Sequence, residues 1–224
     1  MKKKLIFVVV VIIGVMSVFM TGRKPLRVVF FGDSITQAGV DKGGYIDLIQ
    51  NAINAKGLQN QYELIGAGIS GNKVYDLYLR MEDDVIAKQP DIVFIYVGIN
   101  DVWHKTSSGT GTDPDKFVKF YNAIIKKLKD RKIRVILCTP SVIGEKHDAS
   151  NPQDGDLNAY ATTIREIAAI TSCELVDLRK GFQEYELKNN SRNAEKGILT
   201  RDRVHLNGAG NQLVADLMMP LLMK

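Results

Sequence analysis

The sequence is poor in the residues that form disulfides and metal sites, with two cysteines and three histidines among 224 residues. None of them is spaced as metal ligands usually are. Cys138 ends one predicted strand and Cys173 precedes the next. If those strands are parallel neighbours, the two sulfurs lie roughly 15 Å apart, well beyond disulfide reach. We therefore predict two buried free thiols, no metal site and no other cofactor.

Acidic residues are missing from the first 24 positions, although the whole chain has a formal charge of +5. The five basic residues of that segment account for the entire excess: Lys2, Lys3, Lys4, Arg23 and Lys24. Residues 25–224 are therefore electrically balanced. A body without net charge gives no reason to expect a nucleic-acid partner.

Beyond residue 24 the sequence has no uncharged run comparable to residues 5–20, which follow three lysines. A basic start followed by an apolar run is typical of an export signal. The run is longer than a usual signal-peptide core of about 7–15 residues and shorter than a bilayer span of about 20. No clear cleavage site and no lipid-accepting cysteine follow it. We expect an exported protein in which residues 1–24 are either a signal peptide or a membrane anchor, tethering through residues 5–20.

Residues 25–224 contain no internal repeat, low-complexity tract or linker, which predicts a single domain. Apolar runs predict strands near 26–31, 62–65, 91–97, 133–138 and 174–177. Helical spacing predicts helices near 44–56, 73–88, 113–129, 156–171, 179–190 and 207–223. Residues 104–112 and 139–155 are interpreted as polar loops. Strands that alternate with helices indicate an α/β domain with a doubly wound parallel sheet.

Polar residues that suit serine catalysis follow the predicted strands. Ser34 comes directly after the first strand, and alone it would be interpreted as a helix-capping residue. Asp202 and His205 lie in one loop before the last helix, so the carboxylate can orient the imidazole as a base for Ser34. The amides of Ser34 and Gly71 and the side chain of Asn100 are candidate donors to an oxyanion.

A second interpretation exists for the loop after the second strand. The spacing Gly66-x-Gly68-x-x-Gly71 fits a dinucleotide-binding fingerprint. However, it follows the second strand rather than the first, and no acidic residue ends the next strand at the ribose position. A tight glycine turn and an oxyanion loop both rank ahead of a nucleotide site.

Four motifs in order resemble those of the SGNH hydrolase family, the GDSL-like lipases and acylhydrolases. They are Gly32-Asp33-Ser34, Ile69-Ser70-Gly71-Asn72, Gly98-x-Asn100-Asp101 and Asp202-x-x-His205, and the resemblance extends over residues 26–222. It implies a flavodoxin-like three-layer fold with a central parallel sheet of about five strands. It also implies that Ser34, Gly71, Asn100 and His205 are the four name-giving residues. Many members have Asn where this chain has Gly66 or Gly68, so Gly68 is a second candidate donor.

The expected function is hydrolysis of short-chain, acetyl-type esters on a carbohydrate, through a Ser34–His205–Asp202 triad and an acyl-enzyme. The polar loops and the lack of a long apolar lid favour a small acyl group over a lipid. Two alternatives stay open at this point: a lysophospholipase or thioesterase, and an exported glycan-binding module without catalysis. The expected partner is a small-molecule or carbohydrate ester.

Overall fold

A computed structural model describes residues 24–224, and its centre is a five-stranded parallel sheet. The strands are β1 Leu26–Gly32, β2 Tyr62–Gly68, β3 Ile92–Tyr96, β4 Arg134–Cys138 and β5 Glu174–Val176. They pair in the order β2-β1-β3-β4-β5, and every pairing is parallel. The predicted α/β class and the number of strands are confirmed.

Within residues 24–224, eight α-helices alternate with these strands. They are α1 Ser34–Gly39, α2 Tyr45–Ala55, α3 Val74–Asp84, α4 Ile99–Ser107, α5 Pro114–Lys129, α6 Asp154–Thr171, α7 Leu178–Asn189 and α8 Gly208–Leu222. Helices α2 and α7 pack with α8, whereas α5 packs with α3 and α6. The sheet thus lies between two helical layers, with its central strands in the apolar core.

The central strands are apolar on both faces because helices cover both sides of the sheet. All five residues of β3 and the last five of β1 are buried. The register places Gly32 between Gly68 of β2 and Tyr96 of β3 at the carboxyl edge. The strand order changes direction between β1 and β3. In open α/β sheets such a switch point forms the ligand-binding crevice.

Three predicted boundaries are wrong. Residues 104–107 are not loop but the end of α4, whose Ile99 and Val102 are buried. The predicted helix over 73–88 divides at Val85, after which Ile86–Lys88 forms a short 3₁₀ turn. Strand β2 continues to Gly68 rather than stopping at residue 65. The common reason is tertiary packing, which overrides local composition at the ends of elements.

The segment 139–155 also differs from its interpretation as a polar surface loop. Its first part lies in the protein interior: Thr139, Ser141, Val142, Ile143 and Glu145 are all buried. Such burial of polar groups requires hydrogen-bond partners. Thr139 Oγ1, for example, donates to Asp177 Oδ1 at 3.1 Å.

Cys138 and Cys173 are both free thiols, as predicted, but only Cys138 is buried, whereas Cys173 is partly exposed. Between residues 24 and 224, no helix combines the length and apolarity needed to span a bilayer. The leader predicted over residues 1–24 lies, apart from Lys24, outside the described residues.

Candidate active site

Ser34 is the first residue of α1, directly beyond the carboxyl end of β1. The Asp33 side chain caps this helix, accepting a hydrogen bond from the Ile35 amide at 3.0 Å. The turn requires glycine at position 32, because a Cβ there would lie 2.3 Å from Thr36 Oγ1 and 2.4 Å from the Tyr96 carbonyl oxygen. The strand-to-helix turn therefore fixes the serine at the sheet edge.

Ser34, His205 and Asp202 form one hydrogen-bonded series. Ser34 Oγ lies 3.0 Å from His205 Nε2. On the other side of the ring, His205 Nδ1 lies 2.7 Å from Asp202 Oδ2. A proton on Nδ1 would be donated to the carboxylate, leaving Nε2 as the acceptor for the serine hydroxyl. The predicted nucleophile, base and orienting acid are thus adjacent, in the order that general-base activation of a serine requires.

The Asp202 carboxylate is held in its ionised form. Partial burial raises its pKa, but hydrogen bonds from the His205 amide, the His205 ring and the Val204 amide outweigh burial and lower it overall. The two amides lie 2.7 Å and 3.1 Å from Asp202 Oδ1. An acid that is negatively charged at neutral pH is the form that can orient and stabilise an imidazolium.

Asn100 and the Gly71 loop follow the two strands that flank β1, and they contact each other. Asn100 is buried in the first turn of α4, and its Nδ2 donates to the Asn72 carbonyl at 3.1 Å. A side-chain amide has two N–H bonds, so a second one is left for a ligand. Gly71 has a φ of +76°, a conformation that favours glycine. The predicted donors are therefore linked to each other through Asn72.

Helix α4 connects the two halves of the site. The Trp103 ring meets the His205 ring edge to face, with centroids 6.2 Å apart. The next residue, His104, places Cε1 at 3.8 Å from the position that a Cβ on Gly71 would take. Partial burial and the nearby Lys73 ammonium lower the pKa of His104. Neither ring was among the predicted catalytic residues.

Gly66 and Gly68 have a packing role that explains the fingerprint-like spacing. Both lie inside β2 rather than in a turn. A Cβ on Gly68 would lie 2.1 Å from the Gln37 amide nitrogen, and one on Gly66 would lie 2.3 Å from Val40 Cγ1. The glycines let α1 and the residue after it approach the strand closely. The tight-packing interpretation accounts for these two glycines without a nucleotide.

Two buried carboxyl groups lie beside the site, and the sequence patterns alone did not predict their burial. Burial raises the pKa of Asp33 to about 7, opposed by the hydrogen bond from Ile35 and reinforced by the nearby Asp101 carboxylate. Burial likewise raises the pKa of Asp101 to about 6, against the Val74 amide and Lys73. Both residues belong to motifs identified in the sequence, but the sequence did not indicate that they are buried.

Arg80 also lies beside the site, although it was not among the predicted site residues. From helix α3 its guanidinium reaches the sheet edge, where Nη2 donates to the Gly32 carbonyl at 2.7 Å and to the Ala67 carbonyl at 3.0 Å. Its Nε donates to Asn72 Oδ1 at 2.6 Å. The sequence had no signal for this role, because a polar residue on an amphipathic helix is usually solvent-exposed.

A groove of about 410 Å³ adjoins His205. Its walls come from α1, the loop before α2 and the residues around His205, and they include Ile35, Asp41, Lys42, Gly44, Arg201 and Asn211. Within residues 24–224, no three His, Cys, Asp or Glu side chains gather as metal ligands would. The groove offers charged and amide groups next to the base.

Comparison with known proteins gives a consistent result. Residues 30–213 match the GDSL-like Lipase/Acylhydrolase family. The chain is 31% identical over 205 residues to an acetylxylan esterase of Geobacillus stearothermophilus, covering 84% of this chain and 90% of that enzyme. It is 25% identical over 220 residues to an uncharacterized lipoprotein of Bacillus subtilis, covering 87% of this chain and 88% of that protein.

Solved structures agree with the sequence relatives. The crystal structure of an acetyl xylan esterase, AlAXEase, shares 62% identity with a TM-score of 0.87, covering 88% of this chain and all of that one. An α/β hydrolase from the metagenome of Lake Arreo shares 28% identity with a TM-score of 0.77, covering 87% and 94%. Both structures therefore match this chain over most of its length.

Proposed function

The chain belongs to the GDSL-like Lipase/Acylhydrolase family and is a carboxylic ester hydrolase, and on that premise we propose that it removes acetyl groups from a carbohydrate by serine catalysis. The central observation is the hydrogen-bonded series from Ser34 Oγ through His205 to Asp202. The proposed substrate follows from the similarity to acetylxylan esterases.

In the proposed first step, Ser34 Oγ attacks the ester carbonyl carbon while its proton passes to His205 Nε2. Asp202 accepts from Nδ1 and stabilises the imidazolium that forms. The tetrahedral intermediate collapses, the carbon–oxygen bond to the sugar breaks, and His205 returns the proton to the departing alcohol. Water then attacks the acetyl-enzyme by the same route, which releases acetate and restores Ser34.

The oxyanion of both intermediates is proposed to accept hydrogen bonds from three donors. These are the second N–H of the Asn100 amide, the Gly71 backbone amide and the Ser34 backbone amide. The support is positional: Asn100 and the Gly71 loop are joined at the Asn72 carbonyl, one strand away from Ser34. Preorganised donors of this kind stabilise charge that develops only in the transition state.

The groove beside His205 favours a carbohydrate as the leaving alcohol. His205 protonates that alcohol, so the rest of the leaving group must lie near the ring. The groove there contains the exposed side chains of Asp41, Lys42 and Arg201. Such polar groups suit sugar hydroxyls better than an acyl chain. On the α4 side, the partly buried Trp103 ring lies against His205.

Two assays test the proposal together. A panel of p-nitrophenyl esters from acetyl to palmitoyl reports acyl length, and release of acetate from acetylated xylo-oligosaccharides reports the carbohydrate. We expect acetyl to be the preferred acyl group and the oligosaccharide to be hydrolysed. Ser34→Ala should abolish both activities and keep the wild-type circular dichroism spectrum. A folded Ser34→Ala protein with wild-type turnover would falsify the assignment of the nucleophile.

Other outcomes distinguish the alternatives. A preference for long acyl chains would replace the acetyl esterase with a lysophospholipase-type or thioesterase-type activity. Binding of oligosaccharide without turnover, and without labelling of Ser34 by a fluorophosphonate, would indicate a glycan-binding module.

The role of the groove has its own control. Arg201→Ala should raise KM for the oligosaccharide and leave KM for p-nitrophenyl acetate unchanged, because the small ester does not extend into the groove. Lys126→Ala, at an exposed position of α5, should change neither. Equal KM values for wild type and Arg201→Ala on the oligosaccharide would remove the groove from the substrate path.

Export is part of the proposal. Its support is the basic and apolar segment of residues 1–24 and the lipoprotein among the relatives. Fractionation of cells that express the full chain should place it outside the cytoplasm, and release by detergent alone would indicate an anchor. Recovery from the cytoplasmic fraction would contradict export.

A further inference from the structure

The segment that contains Asp202 and His205 has almost no regular structure of its own. It runs from the end of α7 at Asn189 to the start of α8 at Gly208, and it has one antiparallel bridge, Thr200 to Leu206. Its backbone has positive φ angles at Asn193, Gly197 and Arg203. A segment of this kind needs outside contacts to hold a base and an acid in fixed positions.

Glu145 supplies such contacts from the segment after β4. Its side chain is fully buried. Oε2 accepts from the Ile198 amide at 2.7 Å, and Oε1 accepts from the Leu199 amide at 2.8 Å and from the Thr200 amide. Three consecutive backbone amides therefore share one carboxylate. The third of these amides is two residues before Asp202.

The backbone around Glu145 holds the same segment at two more points. The Glu145 amide donates to the Glu195 carbonyl at 3.0 Å, and the Gly144 amide donates to the Arg203 carbonyl at 2.8 Å. Thr200 extends the restraint, because its Oγ1 accepts from the Arg203 amide at 3.1 Å. The turn that places Asp202 beside His205 is thus fixed on both sides of Asp202.

We infer that Glu145 is a positioning residue for the Asp202–His205 pair. The inference rests on the proposed function, in which His205 is the base. The carboxylate does not touch the reacting atoms. It fixes the backbone from which both side chains project, and a displacement of about 1 Å in a catalytic group costs about 10²-fold in rate.

Glu145→Gln tests the inference with little change in size. A side-chain amide has only one acceptor oxygen, so its NH₂ group must face at least one of the three backbone amides, donor against donor. We expect kcat on p-nitrophenyl acetate to fall about tenfold to a hundredfold with KM unchanged. Labelling of Ser34 by a fluorophosphonate should slow in parallel. Both are measured well below the unfolding temperature of the variant.

Glu186→Gln is the matched control. Glu186 is also a buried glutamate of the same region, on α7, and its Oε1 has no hydrogen-bond partner. Its side chain makes none of the hydrogen bonds that hold residues 195–203, so its variant should keep the wild-type kcat. A folded Glu145→Gln protein with wild-type kcat and labelling rate would overturn the inference. So would an equal loss in Glu186→Gln.

A second pair of variants covers the case in which Glu145→Gln does not fold. Thr200→Val keeps the shape but removes the acceptor for the Arg203 amide, whereas Thr200→Ser retains it. We expect a fall in kcat without a change in KM for the valine variant only. Wild-type kcat in Thr200→Val would contradict the premise that the fixed turn around Asp202 is needed for catalysis, and the role of Glu145 depends on that premise. A wild-type protein that neither hydrolyses the ester nor labels at Ser34 would instead overturn the proposed function itself.

Discussion

Arg80 Nε lies 2.6 Å from Asn72 Oδ1, so a charged side chain of helix α3 holds the loop that contains Gly71. The same guanidinium donates to the carbonyls at the ends of β1 and β2. Its Nη1 pairs with Asp84 at 2.7 Å, and its face covers the Phe31 ring at 4.6 Å. The turn before Ser34 and the proposed oxyanion loop are therefore tied to one rigid group.

Arg80→Lys should lower kcat on p-nitrophenyl acetate by about tenfold or more. Lysine retains the charge, but an ammonium lacks the planar fork that reaches all of these acceptors. Loss of the hydrogen bonds to the two carbonyls should also lower the free energy of unfolding, by about 0.5–1.5 kcal/mol each. Initial rates and urea unfolding measure the two effects.

Arg27→Lys is the control for that variant. Arg27 pairs with Glu63 near the opposite, amino end of the sheet, at 2.8 Å, and its variant should keep the wild-type kcat. If Arg80→Lys matches Arg27→Lys in kcat, the link between the two loops has no catalytic consequence.

Asn100→Ala should lower kcat by about 10²–10³-fold with little change in KM, the usual loss for one oxyanion donor. The same change also leaves the Asn72 carbonyl without its donor. Asn72→Ala loses the contact to Arg80 but keeps the carbonyl and its hydrogen bond from Asn100, so it should cost less. Steady-state kinetics with p-nitrophenyl acetate measures the loss of kcat in each variant. A smaller loss in Asn100→Ala than in Asn72→Ala would argue against Asn100 as a donor.

The ends of β1 and β3 could be predicted because buried strands have a strong local signal. The run from Leu26 to Phe31 is apolar throughout, and Gly32 after it marks a turn that only a residue without Cβ fits. Ser34 and Asn100 follow such strands, so their place at one sheet edge follows from topology alone. The pairing of His205 with Asp202 was predictable because they are only three positions apart.

The supporting residues could not be predicted, because their burial depends on contacts distant in sequence. Glu145 lies 53 to 55 positions before the amides it accepts from, and Arg80 lies 48 positions after Gly32. A charged residue in a polar stretch resembles any solvated one until the fold is known. Helix α4 was not predicted for a related reason. The threonine and serine at its end give residues 104–107 a composition typical of a loop.

Asp202→Asn should lower kcat by about 10³–10⁴-fold, as in other serine hydrolases that lose the triad acid. The variant keeps an oxygen for the His205 and Val204 amides. Its NH₂ group, however, takes the place of the oxygen that accepts from His205 Nδ1–H. The ring then favours the tautomer with its proton on Nε2, which cannot accept the Ser34 proton. Asp130→Asn, an exposed acid at the end of α5, is the control. Equal kcat values for the two variants would remove Asp202 from the mechanism.

Asp33→Asn should make the stability of the protein less dependent on pH. The folded protein retains the Asp33 proton up to about pH 7, whereas the unfolded chain releases it near about pH 4. Between these values the folded state binds more protons, so this group lowers the free energy of unfolding as the pH rises. Asparagine does not titrate, yet it keeps an acceptor for the Ile35 amide. Relative to wild type, Asp33→Asn should therefore gain stability from pH 4 to pH 7, as measured by urea unfolding at several pH values.

Asp156→Asn, an exposed acid, should show no such trend. A constant difference between Asp33→Asn and wild type across that range would show that the buried carboxyl group does not retain its proton.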